Sequence, residues 1–394
     1  MSEECRLCIA TGRYMRGGET FVNRHIEHLF GGNSVVLCGR ETGENRLRKP
    51  VFSRLKAAMN PHDLATAPFH LWRNHRRYSA PFVPYGTGRA ALLQFLADEG
   101  VDAILAEFGS QAVSLWPVTH AAGLPLFAYF RGRDASKYLR HPARVEGYRR
   151  MMPNLAGVFA VSGFLLDNLA AHGLAHPNAH IVPSGTDVQF FQPGTKQSGR
   201  MVFVGRFVEK KAPRMALDSF LQLATRYPQA RLDMVGQGPE LAACKAAAAK
   251  SPHAGRVTFH GQRSAQEIRT LLAEGDIFVL HALTGRDGET EGMPSAIQEA
   301  MAAGMAILST RHAGIPLVVC DGDHGVLCDE GDNAGFAAAM DTLLANPART
   351  RAMGVASRQS AEALFDYRKL YARVERVILD SLRDGKRIQG GGHG

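Results

Sequence analysis

Short apolar runs and longer helical patterns alternate along this chain from one end to the other. CRLCIATG, VVLCG, VDAILAEFG and LPLFAYF come in the first half; MVFVG, RLDMVG, VTFHG, DIFVLHAL, MAIL and GVLCDEGD come in the second. Runs of strand length without polar alternation suit strands covered on both faces, as in a parallel sheet between helices. Helical segments fall between them, among them GTGRAALLQFLADEG, which Gly100 terminates, SAIQEAMAA, and NAGFAAAMDTLLAN. The order predicts an α/β chain with two doubly wound halves and no internal sequence repeat. The polar, Gly-bearing QPGTKQSG reads as the linker, giving domains over 1–192 and 200–365 joined by 193–199.

The stretch GRDGETEGMPSAIQEAMAAGMAILSTRHAGIP, residues 285–316, carries the most chemistry. An apolar strand ends at Ala282, a loop rich in Gly and charge follows, Pro294 stands where a helix begins, and Gly304 stops that helix. The first amides of a helix lack intrahelical partners and lie at the positive end of its dipole, so a phosphate is stabilised there. Glu291 precedes the helix and Glu299 lies about one turn inside it, with seven residues between them. Carboxylates beside a phosphate site accept hydrogen bonds from neighbouring diols, which points to a sugar nucleotide.

EGMPSAIQEAMAAGMAILSTRHAGIP resembles the nucleotide-sugar signature of the retaining family-4 glycosyltransferases. The resemblance covers nearly the whole chain, strongest from Met201 to Pro316 and weakest from Gly39 to Ala91. It implies the GT-B fold, in which two Rossmann-like doubly wound domains face a central cleft. A last helix, here 366–386, would cross back to the first domain, and the tail 387–394 would be disordered. ETFV is similar to the SETF variant of exopolysaccharide and colanic-acid enzymes, and the preceding Gly17 and Gly18 match the loop that faces the donor phosphates. The resemblance also implies that Ser162 caps the helix of VSGFLLDNLAAHG and that Asp187 tightens the turn of VPSGTD.

Further site residues follow from the resemblance. Gly205 and Arg206, with Lys211 five residues on, match the pair that grips the donor diphosphate; fixed cations there favour the transition state as charge grows on the leaving group. Lys210 reads as a solvated neighbour. Gly236 and Gly238 match a turn lining the nucleotide cleft, although Leu241 occupies the third glycine position of a dinucleotide fingerprint. His260, Gly261 and Gln262 resemble the segment beside the base. Glu299 would hold the ribose, Glu291 would contact the donor sugar, and the amides of Gly292 and Met293, with Pro294 next to them in the binding loop, would meet the diphosphate. Arg131-Gly132 stands where many relatives have His-Gly; a guanidinium there can hold phosphate but cannot shuttle a proton. Arg206, Lys211 and Glu291 are thus the expected catalytic residues.

The implied reaction is retaining transfer of a sugar from a UDP- or GDP-sugar to an acceptor hydroxyl, by front-face attack in which the departing phosphate assists deprotonation. The acceptor would be a lipid-linked or membrane-presented saccharide or glycolipid of cell-surface synthesis. No cofactor and no metal are expected, since no Asp-x-Asp is placed to carry Mg2+ and Arg and Lys can neutralise the diphosphate.

Charge adds one feature. The net charge is +9, and between Arg40 and Arg89 ten Lys or Arg stand against three acids. Aromatics and prolines interleave there, in FHLWRNHRRYSAPFVPYG. Two readings stand: a surface for anionic lipid over residues 40–90, or a solvated Arg-rich loop region. Nucleic acid is not an expected partner. No apolar run reaches the ~20 residues of a membrane-spanning helix, and the acidic start MSEECRLCIA does not read as a signal peptide. The expectation is a cytoplasmic protein with access to the inner face of the cell membrane. Cys5 and Cys8 have CxxC spacing, but three residues along a strand puts them on opposite faces, so reduced thiols are expected. The competing functions are a non-catalytic basic anion or membrane binder and another GT-B sugar-phosphate enzyme.

Overall fold

The computed structural model describes residues 5–15, 20–57 and 59–390. The chain divides into two compact units, residues 1–182 with 368–394, and residues 183–367. The expected linker 193–199 lies inside the second unit. The Gly194 amide donates to Ala273 O at 3.0 Å, and Lys196 Nζ donates to Ala303 O at 2.6 Å.

The first unit is built on a parallel sheet of seven strands: β1 (Leu7–Tyr14), β2 (Ser34–Glu41), β3 (Val51–Ser53), β4 (Ala103–Glu107), β5 (Leu126–Phe130), β6 (Gly157–Ala160) and β7 (Ala179–Ile181). Their spatial order is β3-β2-β1-β4-β5-β6-β7. The second has β8 (Arg200–Val204), β9 (Arg231–Val235), β10 (Val257–Gly261), β11 (Ile277–Val279), β12 (Ala306–Thr310) and β13 (Gly325–Cys328), in the order β10-β9-β8-β11-β12-β13. Strands β4, β5, β6 and β12 are buried at every residue, which is why they read as unbroken apolar runs.

Each sheet reverses its winding once, between β1 and β4 and between β8 and β11. Ligands of doubly wound sheets bind beyond the carboxyl ends of the strands at such switch points. In the second unit this singles out two loops, the one after β8 and the one after β11. In the first unit, the loop after β1 runs into residues 16–19, so Gly17 and Gly18 lie outside the described residues.

Three local features differ from the expectations. Ser162 does sit at the N-cap of the helix Gly163–Ala171 with extended backbone, but its hydroxyl makes no capping bond; it is buried without a hydrogen-bond partner among the described residues. The segment from Gly39 to Ala91 is not a plain loop region, because it holds β3 and an 18-residue helix, Pro61–Tyr78. Asn60 caps that helix by accepting from the Asp63 amide, and Pro61 supplies the favoured first position. The final helix, Tyr367–Gly390, continues past the point where a tail was expected; residues 391–394 lie outside the described residues. Asp187 does close its turn, its carboxylate accepting from the Gln189 and Phe190 amides at 3.0 and 3.2 Å. Cys5 and Cys8 are both free and buried, and burial pushes each thiol up to about 12.

Candidate active site

After β8 the chain turns at Gly205, exposes Arg206, and enters a short 3-10 turn, Glu209–Lys211. The turn is closed by Ala212 in the left-handed region at φ +33°, before the helix Pro213–Leu223. Gly205 is required by space: a Cβ there would come within 2.7 Å of Lys211 Cδ, so the Lys211 stem lies directly over the glycine. Gly236 and Gly238, with φ of +136° and +154°, have the same kind of cause. A Cβ on Gly236 would meet Gly205 O at 1.9 Å, and one on Gly238 would meet Phe207 O at 2.3 Å. The loops after β8 and β9 therefore pack backbone against backbone, an approach that only glycine allows.

The loop after β11 is tied to the same turn. Leu283 N donates to Lys210 O at 3.0 Å, and Arg286 pairs with Glu209 at 3.1 Å. Two carboxylates of this loop meet the two lysines. Lys210 Nζ lies 2.9 Å from Glu289 Oε1 and 3.1 Å from Glu291 Oε1, while Lys211 Nζ lies 3.4 Å from Glu291 Oε2. All four side chains are 13% exposed or less, whereas Arg206, 3.9 Å from Glu289, is 58% exposed. Lys210 is therefore not the solvated neighbour that the sequence suggested. Sequence reasoning also missed Glu289, whose only signal was its place two residues before Glu291.

The electrostatics follow from this enclosure. Burial alone would raise the Glu291 carboxyl, but the Lys211 and Lys210 ammoniums outweigh it and hold the group at about 2. Lys211 is lowered, because its burial outweighs the pull of Glu291. Glu291 is an anion at neutral pH, suited to accept hydrogen bonds from hydroxyls. With Arg206, three cations face two carboxylates, leaving positive charge at this edge of the sheet.

Next to the cluster the chain enters the helix Ser295–Ala302, with Pro294 at its N-cap and no side chain capping it. Gly292 and Met293 are buried, and neither amide has a hydrogen-bond partner among the described residues. Buried amides are rarely left so, and here they stand at the positive end of a helix. Glu299 is half-buried on the same helix. Behind the loop, His312 Nε2 accepts from the Glu291 amide at 3.0 Å, and its Nδ1 lies 2.6 Å from Glu330. His312 was unremarked in the sequence although it stands inside the quoted stretch. Of the other expected residues in this unit, His260 is bound to Asp233 at 2.6 Å.

Arg131, in the first unit, is not an open phosphate clamp. Its Nε donates to Glu107 Oε2 at 2.7 Å, and its guanidinium lies 4.1 and 3.9 Å from the ring centres of Phe21 and Tyr129. Its side chain is 4% exposed. Glu107 also takes His25 Nδ1 at 2.5 Å, so Arg131, Glu107 and His25 form a buried set at the carboxyl end of β4, one of the two strands of the first sheet's switch point. The Arg131-Gly132 loop is held by Asp134, whose carboxylate accepts from the Gly109, Arg131 and Gly132 amides at 3.0 Å each.

The backbone as a whole is similar to that of HepE from Anabaena, solved in complex with UDP, with a TM-score of 0.74, 95% of this chain and 99% of that chain covered, and 16% identity. The fold is GT-B. Within it, residues 186–360 match the family described as glycosyl transferases group 1, a span that contains the whole lysine–glutamate cluster. The amylovoran biosynthesis glycosyltransferase AmsK of Erwinia amylovora is 28% identical over 253 residues, 63% of this chain and 62% of that protein. The chain thus spans about three fifths of the length of that relative. The GDP-mannose-dependent alpha-(1-6)-phosphatidylinositol monomannoside mannosyltransferase of Mycolicibacterium smegmatis is 26% identical over 322 residues, 78% of this GT-B chain and 84% of that protein.

Proposed function

We propose that the protein is a retaining, family-4 glycosyltransferase that moves a sugar from a UDP- or GDP-sugar to an acceptor hydroxyl. The acceptor is a saccharide or lipid-linked glycan of cell-surface polysaccharide or glycolipid synthesis, met on the cytoplasmic side of an anionic membrane through residues 40–90. The observation that carries this reading is the buried Lys210–Lys211–Glu289–Glu291 cluster at the switch point of the second sheet, beside the Gly292 and Met293 amides, which have no hydrogen-bond partner among the described residues. In this reading residues 200–365 take the donor and the first domain takes the acceptor.

The diphosphate lies against the two amides, with Lys211 and Arg206 as counter-charges that gain strength as the glycosidic bond breaks. Glu291, kept ionised by the lysines, accepts from the sugar hydroxyls, and Glu299 accepts from the ribose. Gly205, Gly236 and Gly238 keep the loops thin enough for the nucleotide to approach. A carboxylate held at about 2 is a poor proton acceptor. That favours front-face attack, with the leaving phosphate taking the acceptor proton, over a protein base. Arg131 has a positioning role in the first domain rather than a phosphate-binding one.

Melting curves with UDP, GDP, ADP and their sugars test the reading. A nucleotide at ~100 times its Kd adds about 2.7 kcal/mol of stability. One base should stabilise the wild type and not Glu299→Ala, and the anomeric configuration of the product, read by NMR, should match that of the donor. No stabilisation by any nucleotide overturns the assignment; an inverted anomer overturns retention alone.

A further inference from the structure

The helix Pro61–Tyr78 is built inside out. Its inward face carries Asp63 and Asn74, both buried. Asp63 accepts from the Thr87 amide at 2.8 Å, and Asn74 Nδ2 donates to Val83 O at 3.0 Å. The outward stripe, at spacings of three and four residues, runs Ala65, Pro68, Phe69, Trp72, Arg76. Phe69 and Trp72 are 56% and 57% exposed, and Leu64 beside them is 61% exposed. Surface helices ordinarily present the opposite pattern. Six of the ten exposed large apolar side chains among the described residues fall between Leu55 and Phe82, so the chain's exposed apolar surface is concentrated here.

The same face is cationic. Arg73 lies 6.0 Å from the Phe69 ring centre and Arg76 5.7 Å from that of Trp72, so the guanidiniums sit directly over the aromatic stripe. No acidic residue occurs from Leu64 to Ala97. Arg150 fixes the helix end by donating to the carbonyls of Arg76 and Arg77 at 2.8 and 2.7 Å, which holds the face in place without covering it. Aromatic and aliphatic tips beside arginines, on a helix with no acidic residue after Asp63, match the headgroup region of an anionic bilayer. There Phe and Trp enter the acyl boundary while Arg meets phosphate. A second copy or a protein partner would have to bring acidic residues to this face. Among the described residues, no helix is long and apolar enough to cross a membrane, so any such contact lies along the surface.

We propose that this helix is a membrane-docking element, seated with its Phe69–Trp72–Arg76 stripe on an anionic phospholipid surface. The inference rests on the reading above of an acceptor presented at a membrane, and it narrows residues 40–90 to one helix face.

Flotation of the full chain with phosphatidylcholine vesicles, with and without phosphatidylglycerol, tests it. Wild type should float with the anionic vesicles only, and lose binding as salt rises. Arg73→Gln/Arg76→Gln should bind about thirtyfold more weakly. Trp72 fluorescence of the wild type should shift to the blue on anionic vesicles, and Phe69→Ser/Trp72→Ser should fail to float with them while keeping the wild-type melting point and nucleotide-induced stabilisation. Equal recovery with both vesicle types, or unchanged partitioning of both variants, overturns the proposal. So does a dimer, measured by light scattering, that Trp72→Ser abolishes. Nucleotide stabilisation is read on the same samples, so a failure of docking is distinguishable from a failure of the glycosyltransferase reading.

Discussion

His312 Nε2 stands 3.0 Å from the amide nitrogen of Glu291, and the other ring nitrogen stands 2.6 Å from Glu330 Oε1. The ring can serve both partners only as a neutral imidazole, with Nδ1–H donating to Glu330 and the Nε2 lone pair taking the amide proton. Glu330 is itself anchored by the Thr284 amide at 2.8 Å. The loop that presents Glu291 is thereby fixed from behind. His312→Ala should leave the Glu291 amide without its acceptor, cost about 1–3 kcal/mol in urea unfolding, and lower kcat more than it raises KM for the donor. His312→Gln, which keeps an acceptor and a donor, should recover part of kcat. Equal activity of the Ala and Gln variants would leave His312 as packing alone.

Much of this site could be read from the residues, for physical reasons that differ by position. Strands β4, β5 and β12 were legible because burial on both faces forces continuous apolar sequence. The helix after Pro294 was legible from its stop and start residues. The helix Pro61–Tyr78 was not, because Pro68 stands inside it and arginines and histidines interrupt its apolar positions. Which of two adjacent lysines enters the site depends on the 3-10 turn and the left-handed Ala212, and both enter. Arg131 looked free because its partner, Glu107, is 24 residues earlier at the end of a strand. That lone carboxylate closing an apolar run was the available signal.

Lys210 should matter as much as Lys211. Each ammonium holds Glu291, and Lys210 is also 2.9 Å from Glu289. Lys210→Met and Lys211→Met should each destabilise by up to about 3 kcal/mol, since the carboxylate keeps one partner of two. Each should lower kcat by ~100-fold or more if the ammonium meets the leaving diphosphate. Parallel unfolding and single-turnover measurements check both effects. A Lys210→Met variant with full kcat would return that residue to a purely structural role.

Two glycines separate space-filling from function. At Gly236 an added Cβ would sit 1.9 Å from the Gly205 carbonyl oxygen, with φ at +136°, and backbone cannot yield. Gly236→Ala should therefore lower the melting temperature markedly, by several kcal/mol in stability. At Gly205 the nearest atom is Lys211 Cδ at 2.7 Å, the flexible part of a side chain. Gly205→Ala should keep most of the stability but push the Lys211 ammonium off Glu291, weakening donor binding and turnover. Calorimetry with nucleotide titration on both variants checks the contrast; similar melting losses in the two would contradict it.

Acid should loosen the first unit through Glu107 and His25. Burial alone would raise the Glu107 carboxyl, but Arg131 and His25 hold it at about 2, below its ordinary 4.5. A lowered carboxyl contributes stability that is full above about pH 4.5 and is lost as pH falls towards 2, on the order of 3 kcal/mol in all. Burial lowers His25, with Glu107 opposing, so the folded state keeps the ring neutral while the unfolded chain protonates it below 6.5. Both groups make the unfolded state bind more protons, so stability is lost as pH falls, first through His25 and then through Glu107. Urea unfolding from pH 8 to pH 3, followed by hydrogen exchange in β4 and β5, should register this loss. In Glu107→Gln/Arg131→Met, where no buried ion pair remains, the slope below pH 4.5 should flatten. A wild-type slope in that double variant would mean that the acid sensitivity of this unit arises elsewhere.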